Sequence, residues 1–106
     1  MTPIEISNVD SIKLIPRFPD DTIGEPPIKL TDHNTKAFIA DLNKAHSDGV
    51  CKYYPYYNIV VYMKNGEQKS FRATGKHIKQ DTDECFVIGN EEYFTELYNG
   101  NKKVTN

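Results

Sequence analysis

The chain has 106 residues and 12.2 kDa, a length that supports one domain burying roughly two-thirds of the surface its unfolded form exposes, and that excludes a second. At 38% hydrophobic, 26% charged and 11% aromatic, the composition is that of a polar globular domain and excludes wholesale disorder. The longest apolar run, Ile59 to Met63, is strand-sized, far short of the roughly 20 residues of a membrane-spanning helix.

The formal net charge of −2 is unevenly spread: residues 1–50 sum to −3, residues 51–80 to +5 and residues 81–106 to −4. A basic middle between acidic flanks argues against whole-surface attraction to nucleic acid, while leaving a local basic patch open if the lysines of 51–80 share a face.

In chain order, Ile4 and Ile6, then Ile12 and Leu14, alternate with polar residues around Ser7-Asn8, which predicts a bent strand or two short ones. Residues 17–27 hold Pro19, Gly24, Pro26, Pro27 and Asp20-Asp21 and predict an exposed Pro-rich loop. Thr31-Asp32 is an N-cap pair, and Phe38, Ile39, Leu42, Ala45 and His46 recur at helical spacing, predicting one apolar stripe that ends at Asp48-Gly49.

Residues 56–63 and 68–74 form a predicted hairpin through Lys64-Asn65-Gly66. A two-residue loop would put Phe71 on the face opposite Ile59, Val61 and Met63. A three-residue loop pairs Met63 with Glu67 and gathers Tyr57, Ile59, Val61, Met63, Phe71 and Ala73 on one face, so burial selects the latter, with Gly66 left-handed. Lys76 to Lys79 extends the ladder, Gln80 to Glu84 is an acidic turn, and Cys85 to Ile88 is a further strand. Asn90 caps a short helix that buries Phe94, Leu97 and Tyr98 and stops at Asn99-Gly100, leaving 101–106 as a flexible tail. The expectation is a single α+β domain over 1–106, two layers, with an antiparallel sheet of about four to five strands and two helices on one face, in the order β-α-β-β-β-α.

The richest surface signal is Lys52-Tyr53-Tyr54-Pro55-Tyr56-Tyr57, four of the seven tyrosines within six residues. Tyrosine buries a large rigid area and keeps a polar tip, which suits recognition surfaces, and equally suits the packed face of a sheet. Alternation sends Tyr57 inward. Lys52, Tyr53, Tyr54 and Tyr56, joined by Tyr62, Lys69 and Arg72 on an expected outer face, make the candidate binding set, with another protein as the expected partner.

Cys51 and Cys85 lack any Cys-x-x-Cys or His at ligand spacing, which argues against structural zinc. They are either a disulfide between neighbouring strand ends or two buried thiols. A thiol enzyme built on Cys51 or Cys85 with His77 is the alternative activity, although no thiol-protease or nucleophile-elbow signature surrounds either cysteine. His33 and His46, at opposite ends of one expected helix, would stand about 20 Å apart, too far to share a metal. Asp81, Asp83 and Glu84 open like a calcium loop, but Phe86 occupies the position of the turn glycine. No metal, cofactor or catalytic residue is expected, no membrane span, and nucleic acid only as a weak alternative through 51–80.

No basic start or apolar leader follows Met1, and Pro3 ahead of a strand-like run reads as the start of a mature domain whose leader has been removed; a cytoplasmic protein is the alternative. Leu30-Thr31-Asp32 leading a helix, Lys64-Asn65-Gly66 in a hairpin, the Gly75–Lys79 stretch, Phe86 in a strand and Tyr93-Phe94-Leu97 in a closing helix form a layout that resembles small α+β domains of bacterial lipoproteins and secreted proteins. The resemblance implies an extracytoplasmic, non-catalytic domain and assigns no functional residues. Size and acidity also fit a small inhibitor or immunity-type protein.

Overall fold

Strand alternation decides how this molecule is layered. In the computed structural model, which describes residues 2–17 and 26–101, Ile12 and Leu14 of β1 (Val9–Pro16) pair with Val61 and Ile59 of β4 (Tyr57–Met63), and Ile59 in turn pairs with Phe71 of β5 (Gln68–Thr74). These five side chains are buried on one face, so every intervening residue of the three strands is turned to the other.

The sheet is completed by β2 (Ile28–Lys29), β3 (His46–Val50), β6 (His77–Lys79) and β7 (Glu84–Val87), in the spatial order β2-β1-β4-β5-β6-β7-β3 with all neighbours antiparallel. Two helices, α1 (Asp32–Lys44) and α2 (Tyr93–Asn101), add Phe38, Ile39, Leu42, Phe94 and Tyr98 to the same core. The α+β class, the antiparallel sheet and the two helices agree with the expectation; the strand count of seven and the order β-β-α-β-β-β-β-β-α do not.

The hairpin has the register that burial selected. Met63 N donates to Glu67 O at 2.8 Å, Gly66 is left-handed at φ 92°, and Tyr57, Ile59, Val61, Phe71 and Ala73 share the inner face. At the start of α1, Thr31 Oγ1 accepts from Asn34 N at 3.2 Å, as its position before the stripe predicts.

Several boundaries differ. Ile6–Asn8 is a short 3₁₀ turn and not strand; Ile4 is held by the Asn43 side chain, which both accepts from its N–H and donates to its carbonyl. Helix α1 stops at Lys44, because Ala45 turns extended, and His46–Val50 becomes the edge strand β3. The predicted stripe therefore ends at Leu42, with Ala45 half-buried and His46 exposed. Gly49 is left-handed, but it sits at a register break in β3 and not at a helix end.

Helix α2 runs through Asn99-Gly100 to Asn101. The Asn101 side chain accepts from Thr31 N and Asn34 Nδ2 and donates to Leu97 O, so the end of α2 is pinned to the start of α1, not frayed. Most of the expected Pro-rich loop at 17–27 and of the expected tail at 101–106 lies outside the described residues; of the loop, Arg17, Pro26 and Pro27 are described and exposed.

Candidate functional site

Both helices pack on the inner face, which leaves the outer face of the sheet to the segment between β3 and β4. The chain leaves β3 at one edge of the sheet and must reach β4 across β7, β6 and β5. Four strand spacings amount to about 19 Å, and the seven residue steps from Val50 to Tyr57 reach at most about 25 Å. Residues 51–56 therefore cross the outer face as a largely extended strap, and each strand they pass holds them.

On β7, Cys51 and Cys85 are joined in a disulfide, with Cα atoms 5.9 Å apart. In the turn before it, Asp83 O accepts from Cys51 N. On β6, Lys79 Nζ donates to Cys51 O at 3.2 Å and lies 4.5 Å from the centre of the Tyr53 ring, with the Asp83 carboxylate at 3.8 Å. On β5, Arg72 O accepts from the Tyr53 hydroxyl at 2.8 Å, and Ala73 O from Tyr56 N at 3.0 Å. Lys79 is only 4% exposed; a cation that deep needs such partners, here a carbonyl, a carboxylate and a ring face. Burial pushes the Tyr53 phenol up to about 12, with Arg72 opposing the shift.

This geometry divides the candidate residues. Tyr53 faces the sheet and clamps the strap. Tyr54, at 80% exposed, and Tyr56, at 45%, point to solvent with Lys52 beside them. Tyr62 lies on the outer face beside Gln68 and Ser11, four residues and about 13 Å along β4 from the Asn58–Arg72 pair. Arg72 is also outer, its guanidinium donating to Gln80 O.

Lys69 does not belong with them. It pairs with Val61 and so stands on the helix-side face, where it meets Glu67 at 3.1 Å; the expectation fails because residues 69 and 72 have opposite parity in one strand. The basic residues of 51–80 do not form one patch either: Lys76 pairs with Glu91 at 3.6 Å, Lys79 is buried under the strap and Lys69 lies on the inner side.

Neither cysteine is free, so neither offers a thiolate next to His77, whose Nε2 is instead 3.0 Å from Asp48 Oδ2. That hydrogen bond, ahead of any charge attraction, holds the Asp48 carboxyl below its ordinary value. His46, expected in the last turn of α1, opens β3 instead and pairs with Val87 of β7. The acidic turn fastens the strap and edge: besides Asp83, Glu84 Oε2 accepts from Ser47 Oγ at 2.6 Å. Among the described residues no group of three or more His, Cys, Asp or Glu side chains is placed to hold a metal ion.

Two shallow depressions flank the centre of the outer face. One, of about 310 Å³, is lined by Lys13, Lys29, Ser11 and Tyr62. The other, of about 260 Å³, is lined by Ile15, Arg17, Asn58, Val60 and Arg72, with Asp81 at its rim. Lys13 and Lys29 were missed from sequence because residues 1–50 sum to net negative. The alternation of Ile12 and Leu14 inward was the available signal, since it turns Ser11, Lys13 and Ile15 outward. No protein-family model, curated protein or solved structure matches this chain.

Proposed function

We propose that this domain is a non-enzymatic protein-binding module whose docking surface is the outer face of the sheet. The observation that carries the reading is the exposure of Tyr54 and Tyr56 on a strap held by a disulfide and by the Tyr53 hydroxyl, next to a sheet face on which Tyr62 and Arg72 stand half-buried. Rigid aromatic side chains presented without an ordering cost are what a recognition surface needs. The disulfide supports an extracytoplasmic setting, such as a secreted, periplasmic or lipid-anchored protein, because such bonds persist in oxidising compartments. A small inhibitor or immunity-type role belongs to the same class.

The test is affinity capture with the wild-type domain, with Tyr54→Ala/Tyr62→Ala, and with Lys36→Ala/Lys44→Ala on the exposed side of α1 as the control. A partner retained by wild type and control but lost by the tyrosine variant supports the reading. A partner retained by all three, or lost only with the α1 variant, overturns it.

A further inference from the structure

The outer face holds an unbalanced charge that the strap does not account for. Lys13 and Lys29 are direct cross-strand partners between β1 and β2, on the same side as Val60 and Ser70. Like charges directly opposite each other destabilise a strand pair, and neither lysine has an ion-pair partner among the described residues. Two residues further along β1 comes Ile15, and two beyond that Arg17, which shares the second depression with Arg72. Apart from Asp10, exposed at the bulge of β1, the residues of β1, β2, β4 and β5 include no carboxylate, and Asp81, which follows β6, is the one carboxylate lining the second depression. The line along β1 is therefore cationic at Lys13 and Lys29, apolar at Ile15 with Val60 diagonal to it, and cationic again at Arg17, over about 13 Å, with Arg72 level with Ile15 across Asn58.

We infer that this line is the seat of a short, extended, acidic segment of a partner protein, with carboxylates four residues apart and an apolar side chain midway between them. The inference rests on the docking surface proposed above and adds the chemistry of what docks there. An extended chain shows every second residue to one side, so residues i, i+2 and i+4 meet the two lysines, Ile15 with Val60 diagonal to it, and Arg17 in turn, with Arg72 lining the same depression as Arg17. Charge complementarity also selects against a long polyanion. Outside these four cations the chain carries nine Lys/Arg against fifteen Asp/Glu, a surface that repels nucleic acid beyond the line itself and tolerates a stretch of a few residues.

The probe is a fluorescein-labelled peptide carrying Asp-Ser-Leu-Ser-Asp with blocked ends, beside its Asn-Ser-Leu-Ser-Asn isostere and a single-stranded thymidine oligonucleotide, followed by fluorescence anisotropy. The acidic peptide should bind, the isostere at least about tenfold more weakly. Binding should weaken on going from about 50 to about 200 mM salt, as exposed charge pairs are screened. Lys13→Gln/Lys29→Gln, which removes a repulsion and so leaves the fold intact, should lower affinity at least about tenfold. The inference is overturned if the acidic peptide does not bind, if the isostere binds equally, if the glutamine variant binds unchanged, or if the oligonucleotide binds more tightly than the peptide. The two proposals separate cleanly: a captured partner that depends on Tyr54 and Tyr62 but not on Lys13 and Lys29 rejects the acidic segment and leaves the docking surface standing. A partner indifferent to all four rejects both.

Discussion

Replacing both cysteines, Cys51→Ala/Cys85→Ala, removes the one covalent hold on the strap. The bridge closes a loop with a sequence separation of 34, for which the loop-closure entropy removed from the unfolded chain is worth about 4 kcal/mol at room temperature. Cys85 is fully buried, so its truncation adds a small packing loss in the same direction. In a domain of this size the total corresponds to a melting temperature lower by about 15 to 30 °C. Urea unfolding followed by circular dichroism measures it, and the denaturant slope should rise in the variant, since an unbridged unfolded chain exposes more surface. In native conditions the variant should still hold Tyr53 on Arg72 O and Lys79 on the strap carbonyl, but with faster amide exchange at 51–56. A stability loss below about 1 kcal/mol, or an unchanged denaturant slope, would refute the reasoning that the bridge acts through the unfolded chain.

Phe38→Ala empties a fully buried site on the core side of α1 and should cost about 3 to 5 kcal/mol by chemical denaturation; an indifferent result would place the helix stripe at the surface. Gly89→Ala forces a side chain onto a left-handed residue at φ +85° and into the Tyr93 ring, whose hydroxyl is tied to Asp41 at 2.8 Å, so it should cost at least about 1 kcal/mol in the same assay. At alkaline pH two phenols titrate late. Tyr53 is raised to about 12 by burial, and Tyr93 is raised by burial and then by its hydrogen bond to Asp41. Because the folded values lie above the ordinary tyrosine value of about 10, the stability they contribute is intact below that pH and is lost as pH rises through the folded values. Thermal melts against pH, with phenolate absorbance as the monitor, should show that alkaline decline; full ionisation of all tyrosines in the still-folded protein near pH 10 would contradict it.

What was legible in the sequence followed burial. The hairpin register is legible because a slip of one residue would turn Phe71 to the face opposite Ile59 and Val61. The start of α1 was legible because Thr31 stands directly before the apolar stripe. Strand β3 was not, since its five residues are all exposed and held mainly by backbone bonds to β7, which leave no hydrophobic period to read. Nor was the end of α2, because Asn99-Gly100 has the composition of a stop while Asn101 gains three side-chain hydrogen bonds by continuing. For the site, the tyrosine cluster was visible, but its division into clamp and exposed residues depends on strand order, which places three strands under residues 51–56. Lys13 and Lys29 come together only through the pairing of β1 with β2, a contact across a segment of low hydrophobic signal.

The most direct measurement is an amide chemical-shift map of the isotopically labelled domain bound to a partner recovered by capture. Docking on the outer face predicts perturbations at Lys13 and Ile15, at Val60 and Tyr62, at Arg72 and along Tyr54 to Tyr56, with the exposed sides of α1 and α2 unchanged. Perturbations concentrated on Lys36, Asp41, Lys44 and the exposed residues of α2, with Tyr54 and Tyr62 silent, would contradict it.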